Sequence, residues 1–146
     1  NHDLSYKYAR LREQGYNSVL EQNGHGWRAV EYASELSFDA GRTAMETLLR
    51  ADERPDAVFA VSDTLAAGAL LAIAQAGLTM PDDIAVVGFD GTPLAEMVSP
   101  QLSTVAQPSL QIGRKAVALL LNKIDNPDTP AERVMMDWRF IERASA

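Results

Sequence analysis

Ala57-Val58-Phe59-Ala60-Val61-Ser62-Asp63 and, further on, Ile84-Ala85-Val86-Val87-Gly88-Phe89-Asp90-Gly91-Thr92 are the two stretches that decide the fold. Each opens as a short apolar run with valines and breaks off into polar residues, which is how a parallel strand covered on both faces reads. Between them, Leu65 to Ala76 reads as a helix stopped by Gly77, with Leu78 placed for the apolar contact of a Schellman ending. Pro81-Asp82-Asp83 then supplies turn residues before the second run. Strand, helix and strand in that order form a β-α-β unit, hence a parallel sheet with right-handed crossovers. The expected class is α/β, a doubly wound parallel sheet.

The flanks extend the pattern. Leu4, Tyr8, Leu11, Tyr16, Val19 and Leu20 recur at mostly helical spacing, and Gly24 stands where a C-terminal cap is expected. Trp27 to Tyr32 is a candidate strand, and Ser37 can cap a helix over 39–50 with Ala40, Ala44, Leu48 and Leu49 inward. Downstream come a short helix over 94–98, closed by Pro100, and a third strand at Ser103-Thr104-Val105. Pro108 suits the first turn of a long helix to Ile124 with Leu110, Val117, Leu120, Leu121 and Ile124 on one face. After the loop Asn126-Pro127-Asp128-Thr129-Pro130, Val134, Met136, Trp138 and Phe140 alternate with Met135, Asp137, Arg139 and Ile141, a strand period. The chain opens on a helix with no strand before it and has few strands for a complete sheet of this class, as a piece of a larger protein would.

Composition narrows the function. With 146 residues, 47% of them hydrophobic, the chain is a single globular domain rather than a disordered or fibrous one. No apolar run approaches the ~20 residues that span a bilayer, and Asn1-His2-Asp3 does not read as the start of a signal peptide. The absence of cysteine excludes a disulfide framework, a thiolate nucleophile and a cysteine zinc site, while leaving the compartment open. A net charge of −7, with the basic residues scattered, argues against a chain that grips nucleic acid by itself.

In open parallel sheets ligands bind beyond the carboxyl ends of the strands. Four segments are expected on that rim: Ser37-Phe38, Ser62-Asp63, Asp90-Gly91-Thr92 and Val105-Ala106-Gln107. They supply an aromatic face, hydroxyls, carboxylates and an amide, a set suited to a small polar ligand. Asp63 reads as a helix cap before a ligand contact and Ser62 as either, whereas Asp90, directly after a buried strand with Gly91 behind it, is harder to explain structurally. Enzyme motifs fail: the two histidines, His2 and His25, sit at a terminus and in a glycine-flanked loop, and no zinc-protease, nucleophile-elbow, P-loop or dinucleotide fingerprint occurs. The run from Val86 to Thr92 resembles the Asp-x-Asp-Gly-Thr loop of haloacid-dehalogenase-like phosphatases, but Gly88 occupies the position of the attacking aspartate. No enzyme, metal or cofactor is expected.

A longer set of motifs carries a second resemblance. Pro55 to Asp63, Ala67-Gly68-Ala69-Leu70, and the block from Gly77 through Pro81, Asp83 and Ile84 to Asp90 resemble the lactose-repressor/galactose-repressor family of bacterial transcription regulators. Pro100 to Val105, Gln107-Pro108, Gly113, Ile141-Glu142-Arg143 and the upstream Arg12-x-x-Gly15-Tyr16 continue it along nearly the whole chain. The resemblance implies a two-lobed, periplasmic-binding-protein-like type I fold with effector, a sugar or sugar-like molecule, held between the lobes. Arg12 would clamp effector hydroxyls or carboxylate, Phe38 would be the aromatic wall, and Asp90 would pair with hydroxyls. Ser62 and Gln107 would line the pocket, with Tyr6 and Tyr8 nearby, although Arg12 taken alone reads as a solvated helix charge. Ser62 stands where some members have asparagine and Gly91 where many have Asp or Asn, so the identity of the effector does not carry over.

The same resemblance implies that residues 1–107 form most of the C-terminal lobe, that 108–138 cross into a largely missing N-terminal lobe, and that 139–146 return. The helix-turn-helix headpiece that would read operator DNA is absent from this sequence. Such a regulator would be cytoplasmic and a homodimer, with Ala67, Leu71, Met97 and Val98 apolar enough for the dimer face, although core packing explains them equally. The alternative is a sugar-binding receptor of a transport system sharing the fold.

Overall fold

A computed structural model describes residues 1, 3, 5–24 and 29–146. In chain order its elements are α1 (Lys7–Gln22), α2 (Phe38–Leu49), β1 (Ala57–Phe59), α3 (Asp63–Gln75), β2 (Ala85–Asp90), α4 (Leu94–Met97), β3 (Ser103–Ala106), α5 (Ser109–Asp125) and β4 (Arg139–Ile141). The sheet order is β1-β2-β3-β4, the first three strands parallel and β4 antiparallel to β3. This is an α/β fold with an open, parallel-dominated sheet, as the apolar runs required.

Burial along β2 explains the layers. Val86 and Gly88 are buried toward α3, and a Cβ on Gly88 would lie 2.6 Å from Asp63 Oδ1 and 2.8 Å from Leu102. Glycine here lets the start of α3 settle onto the strand. Ile73, Ile84, Val86, Leu102 and Met45 form the centre of the core, each fully buried aliphatic side chain contributing roughly 1.5–3 kcal/mol. α2 and α3 cross backbone to backbone: a Cβ on Gly68 would lie 2.0 Å from the Phe38 carbonyl oxygen, and one on Gly41 2.3 Å from that of Leu65.

The local signals behave as chemistry dictates. Ser37 Oγ accepts from Ala40 N and Ser62 Oγ from Leu65 N, so each caps the helix that follows it. α3 ends with Gly77 at φ +74, Gly77 N bonded to Ala74 O and Leu78 N to Ile73 O, a Schellman pair. Ser145 fastens the tail beneath β2 and β3: its N–H and hydroxyl reach Gln101 O and Val86 O, and its Oγ accepts from Ser103 N.

Three expectations are corrected. Residues 29–32 are not strand, and the Trp27 end of that candidate lies outside the described residues, as do Leu4, His2 and His25. The final strand covers Arg139–Ile141 alone, because that is where β3 offers an unpaired edge. α5 forms at its expected place, yet its face of Leu110, Val117, Leu120, Leu121 and Ile124 is exposed, with no residue of the helix buried. Met135 and Trp138 beyond it are exposed as well. The amphipathic period predicted a covered face, and among the described residues nothing covers it.

Candidate functional site

The site is built from the ends of β2 and β3 and from α1 above them. Asp90 is the last residue of β2, paired in register with Ala106, so the chain leaves both strands at one level. Gln107, one residue on, donates from N to Asp90 O at 3.2 Å and from Nε2 to Asp90 Oδ1 at 2.6 Å. Arg12 comes down from α1: its Nη1 donates to Val61 O at 2.5 Å, and Nη2 stands 3.5 Å from Asp90 Oδ1. Its guanidinium lies 3.8 Å from the centre of the Phe89 ring and 5.1 Å from that of Tyr8, a sandwich that fixes the fork and shields it from water. Arg12 is thus a pinned, mostly covered cation and not the solvated helix charge it resembles when α1 is read alone.

Burial raises the Asp90 carboxyl above the ordinary carboxylate range; the Gln107 bond and the Arg12 charge pull it back, and the nearby Asp63 adds to the rise. Burial likewise lowers Arg12 from its ordinary value, with Asp90 and Tyr8 opposing. Both contacts fall on Asp90 Oδ1, and among the described residues Oδ2 bonds nothing. The arrangement therefore offers one carboxylate oxygen as an acceptor beside the N–H groups of a fixed guanidinium and a primary amide. Side by side, these groups can donate to and accept from neighbouring hydroxyls.

Of the residues expected to line the site, Arg12 and Gln107 are both brought against Asp90. Phe38 is exposed at the first turn of α2, and Tyr6 is exposed beside Tyr8, their ring centres 5.7 Å apart. Ser62 is buried and serves as the cap of α3. Asp63 is not the cap it reads as: it is 1% exposed, Ser62 caps α3, and the Asp63 carboxylate accepts from Thr92 and Thr104. On the opposite side, Ala67 is covered within the chain at 2% exposure, whereas Leu71 is exposed, Met97 is 80% exposed and Val98 is half-buried.

Phe89 was overlooked in reading the rim, although strand alternation places it on the face opposite Val86 and Gly88, toward α1. Thr104, read in the sequence only as part of a strand, also meets the rim, since its hydroxyl bonds Asp63 and accepts from Gly91 N. A cavity of about 100 Å³ among Met45, Leu48, Val58, Phe59 and Leu65 meets this cluster at Val61 without including Arg12, Asp90 or Gln107.

The family model for the periplasmic binding protein-like domain matches residues 1–146. The ribose operon repressor of Haemophilus influenzae is 38% identical, over 98% of this chain and 43% of its own length. Among solved structures, the transcriptional regulator CelR in complex with cellobiose superposes with a TM-score of 0.86 at 35% identity, over 92% of this chain and 42% of that one. A LacI family transcriptional regulator from Enterococcus faecium with bound ribose gives a TM-score of 0.81 at 29% identity, over 92% and 50%. The chain spans less than half the length of the curated relatives it matches. These relatives agree with the lactose-repressor/galactose-repressor resemblance carried by the motifs.

Proposed function

Since the chain belongs to the periplasmic binding protein-like domain family, we propose that it holds the effector-binding half-site of a cytoplasmic, DNA-binding transcriptional repressor, with a sugar as the effector. The carrying observation is the Arg12–Asp90–Gln107 cluster, in which a cation, an amide and a carboxylate with an open oxygen meet at the carboxyl ends of the strands. Vicinal hydroxyls match it: Asp90 Oδ2 accepts from them while Arg12 and Gln107 donate. Phe38 and Tyr6 at the rim supply aromatic surface for a sugar face, and Ser62 underlies it. The role is regulatory and not enzymatic, and it needs no cofactor. Relatives named for ribose or bound to ribose or cellobiose support the sugar class.

In this reading residues 1–107 are the C-terminal lobe, 108–138 enter the other lobe and 139–146 return. The wholly unburied α5, followed by a β4 that pairs with β3, supports that division. An effector bridging the lobes would shift a population between open and closed forms, by an amount limited by its differential affinity. Leu71 and Met97 supply apolar surface for a homodimer, and operator DNA would be read outside residues 1–146.

The test is calorimetric titration of the full-length regulator with D-ribose, cellobiose and other sugars, with Asp90→Ala as control. Loss of charge-assisted bonds from Oδ2 is expected to weaken binding by at least about tenfold. Unchanged affinity in Asp90→Ala overturns the assignment.

A further inference from the structure

Asp63 is a buried carboxylate that the proposed effector site does not use. Among the described residues it pairs with no cation; hydroxyls and one amide satisfy it. Thr104 Oγ1 donates to Oδ1 at 2.5 Å, and Thr92 donates to Oδ2 twice, from N at 2.6 Å and from Oγ1 at 2.9 Å. Thr104, itself fully buried, also accepts from Gly91 N at 3.3 Å, so its single proton is committed to Asp63. The result is a closed circuit running Gly91 N–H to Thr104 to Asp63 to Thr92, which ties the end of β2 to β3 and to the first residue of α3.

The residue this circuit directly follows is Asp90. Its φ is +118, the sole positive value outside glycine among the described residues, and Gly91 follows at +70. A side-chain-bearing residue adopts such a φ only where its surroundings over-determine it. The two peptides after Asp90 are the ones bonded by Thr104 and Asp63, and the turn has no room to slide, since a Cβ on Gly91 would lie 2.4 Å from that of Ala106. The same turn aims the Asp90 carboxylate at Gln107 and Arg12.

We propose that Asp63 is a positioning residue for Asp90: through Thr92 and Thr104 it fixes the Asp90-Gly91 turn and so sets the direction of the Asp90 carboxylate. The importance of this for ligand binding rests on the effector reading given above, but the positioning itself can be measured without ligand.

Thr104→Val removes the shared hydroxyl at constant volume and charge, and Thr104→Ser restores it. In labelled protein, two signals report the turn: the amide–Hα coupling of Asp90, small at its present φ and large in extended backbone, and solvent exchange of the Gln107 side-chain amide. In Thr104→Val the coupling is expected to rise and the Gln107 exchange to quicken by about tenfold, while β1 amides hold their shifts and Thr104→Ser matches the parent. If Thr104→Val does not fold, Thr92→Val, which keeps the 2.6 Å backbone bond, is expected to move both signals the same way by less. A folded variant with lowered Tm but both signals unchanged reduces Asp63 to a structural role and overturns the proposal. Sugar affinity of Asp90→Ala is read separately, so a failure there refutes the effector reading and leaves the positioning result standing.

Discussion

Replacing Gly68 with alanine tests whether the α2–α3 crossing is as close as the backbone geometry states. The new Cβ would stand 2.0 Å from Phe38 O, 2.6 Å from Arg42 N and 3.1 Å from Gly41 C. All three are main-chain atoms, so no rotamer change relieves the clash. Carbon and oxygen need about 3.3 Å, so the start of α2 must retreat by roughly 1 Å or more. Overpacking of this kind costs about 1–3 kcal/mol, while the better helix propensity of alanine returns up to about 1 kcal/mol. The expected net loss is about 1–2 kcal/mol, or a fall in Tm of roughly 3–8 °C for a chain of this size. Gly15→Ala is the control: Gly15 lies in α1 with nothing within 4 Å of its Cβ position, so only the propensity gain applies and Tm should rise slightly. Thermal unfolding of the two variants by circular dichroism decides the matter. If Gly68→Ala matches or exceeds the parent, the helices do not meet backbone to backbone.

Asp90→Asn is expected to raise Tm at pH 7. Burial lifts the folded carboxyl above its ordinary value of 3.8, so the stability it contributes is fully present below the unfolded pKa and is lost as pH rises through the folded one. Asparagine avoids that loss and tolerates positive φ better, so the advantage should shrink toward pH 4; a lower Tm at pH 7 contradicts this sign. Leu120→Gln and Leu121→Gln on exposed α5 should change the stability of this chain by no more than about 0.5 kcal/mol in urea unfolding, yet destabilise a longer protein in which another lobe covers that face. A large loss in the 146-residue chain would mean the face packs within it. If the proposed regulator dimerises through this face, Leu71→Glu is expected to halve the sedimenting mass of the full-length protein, and a folded variant of unchanged mass removes Leu71 from the interface.

Legibility followed the range of the interaction. The β1–α3–β2 unit, the Ser37 and Ser62 caps and the Schellman ending at Gly77 depend on residues within a few positions of one another, and the sequence displays them directly. Asp90 stands out in the sequence because a carboxylate after a buried strand has no local partner to excuse it. Asp63 was misread because a carboxylate at a helix start is usually a cap, and its actual partners lie 29 and 41 positions away. Arg12 needed a motif to single it out, since its worth comes from Phe89 and Val61 on other elements. The exposed face of α5 has the period of a buried helix, and period alone does not say which body covers it.

The site is costly to the fold, which supports the proposed effector role. Burial pushes Asp90 toward its neutral form and Arg12 in the same sense, and Asp90 is held at a φ that few side chains adopt. A fold selected for stability alone would place asparagine or glycine after β2, where both accept positive φ and neither carries a desolvated charge. The charged pair persists with its polar surface only partly satisfied: the carboxylate makes its bonds through one oxygen, and the guanidinium shares itself between a carbonyl and two rings. A ligand supplying hydroxyls to both groups would complete bonds the protein leaves open, converting a folding cost into binding selectivity. That is why the variant expected to stabilise the chain, Asp90→Asn, is also the one expected to lose the acceptor for a sugar hydroxyl.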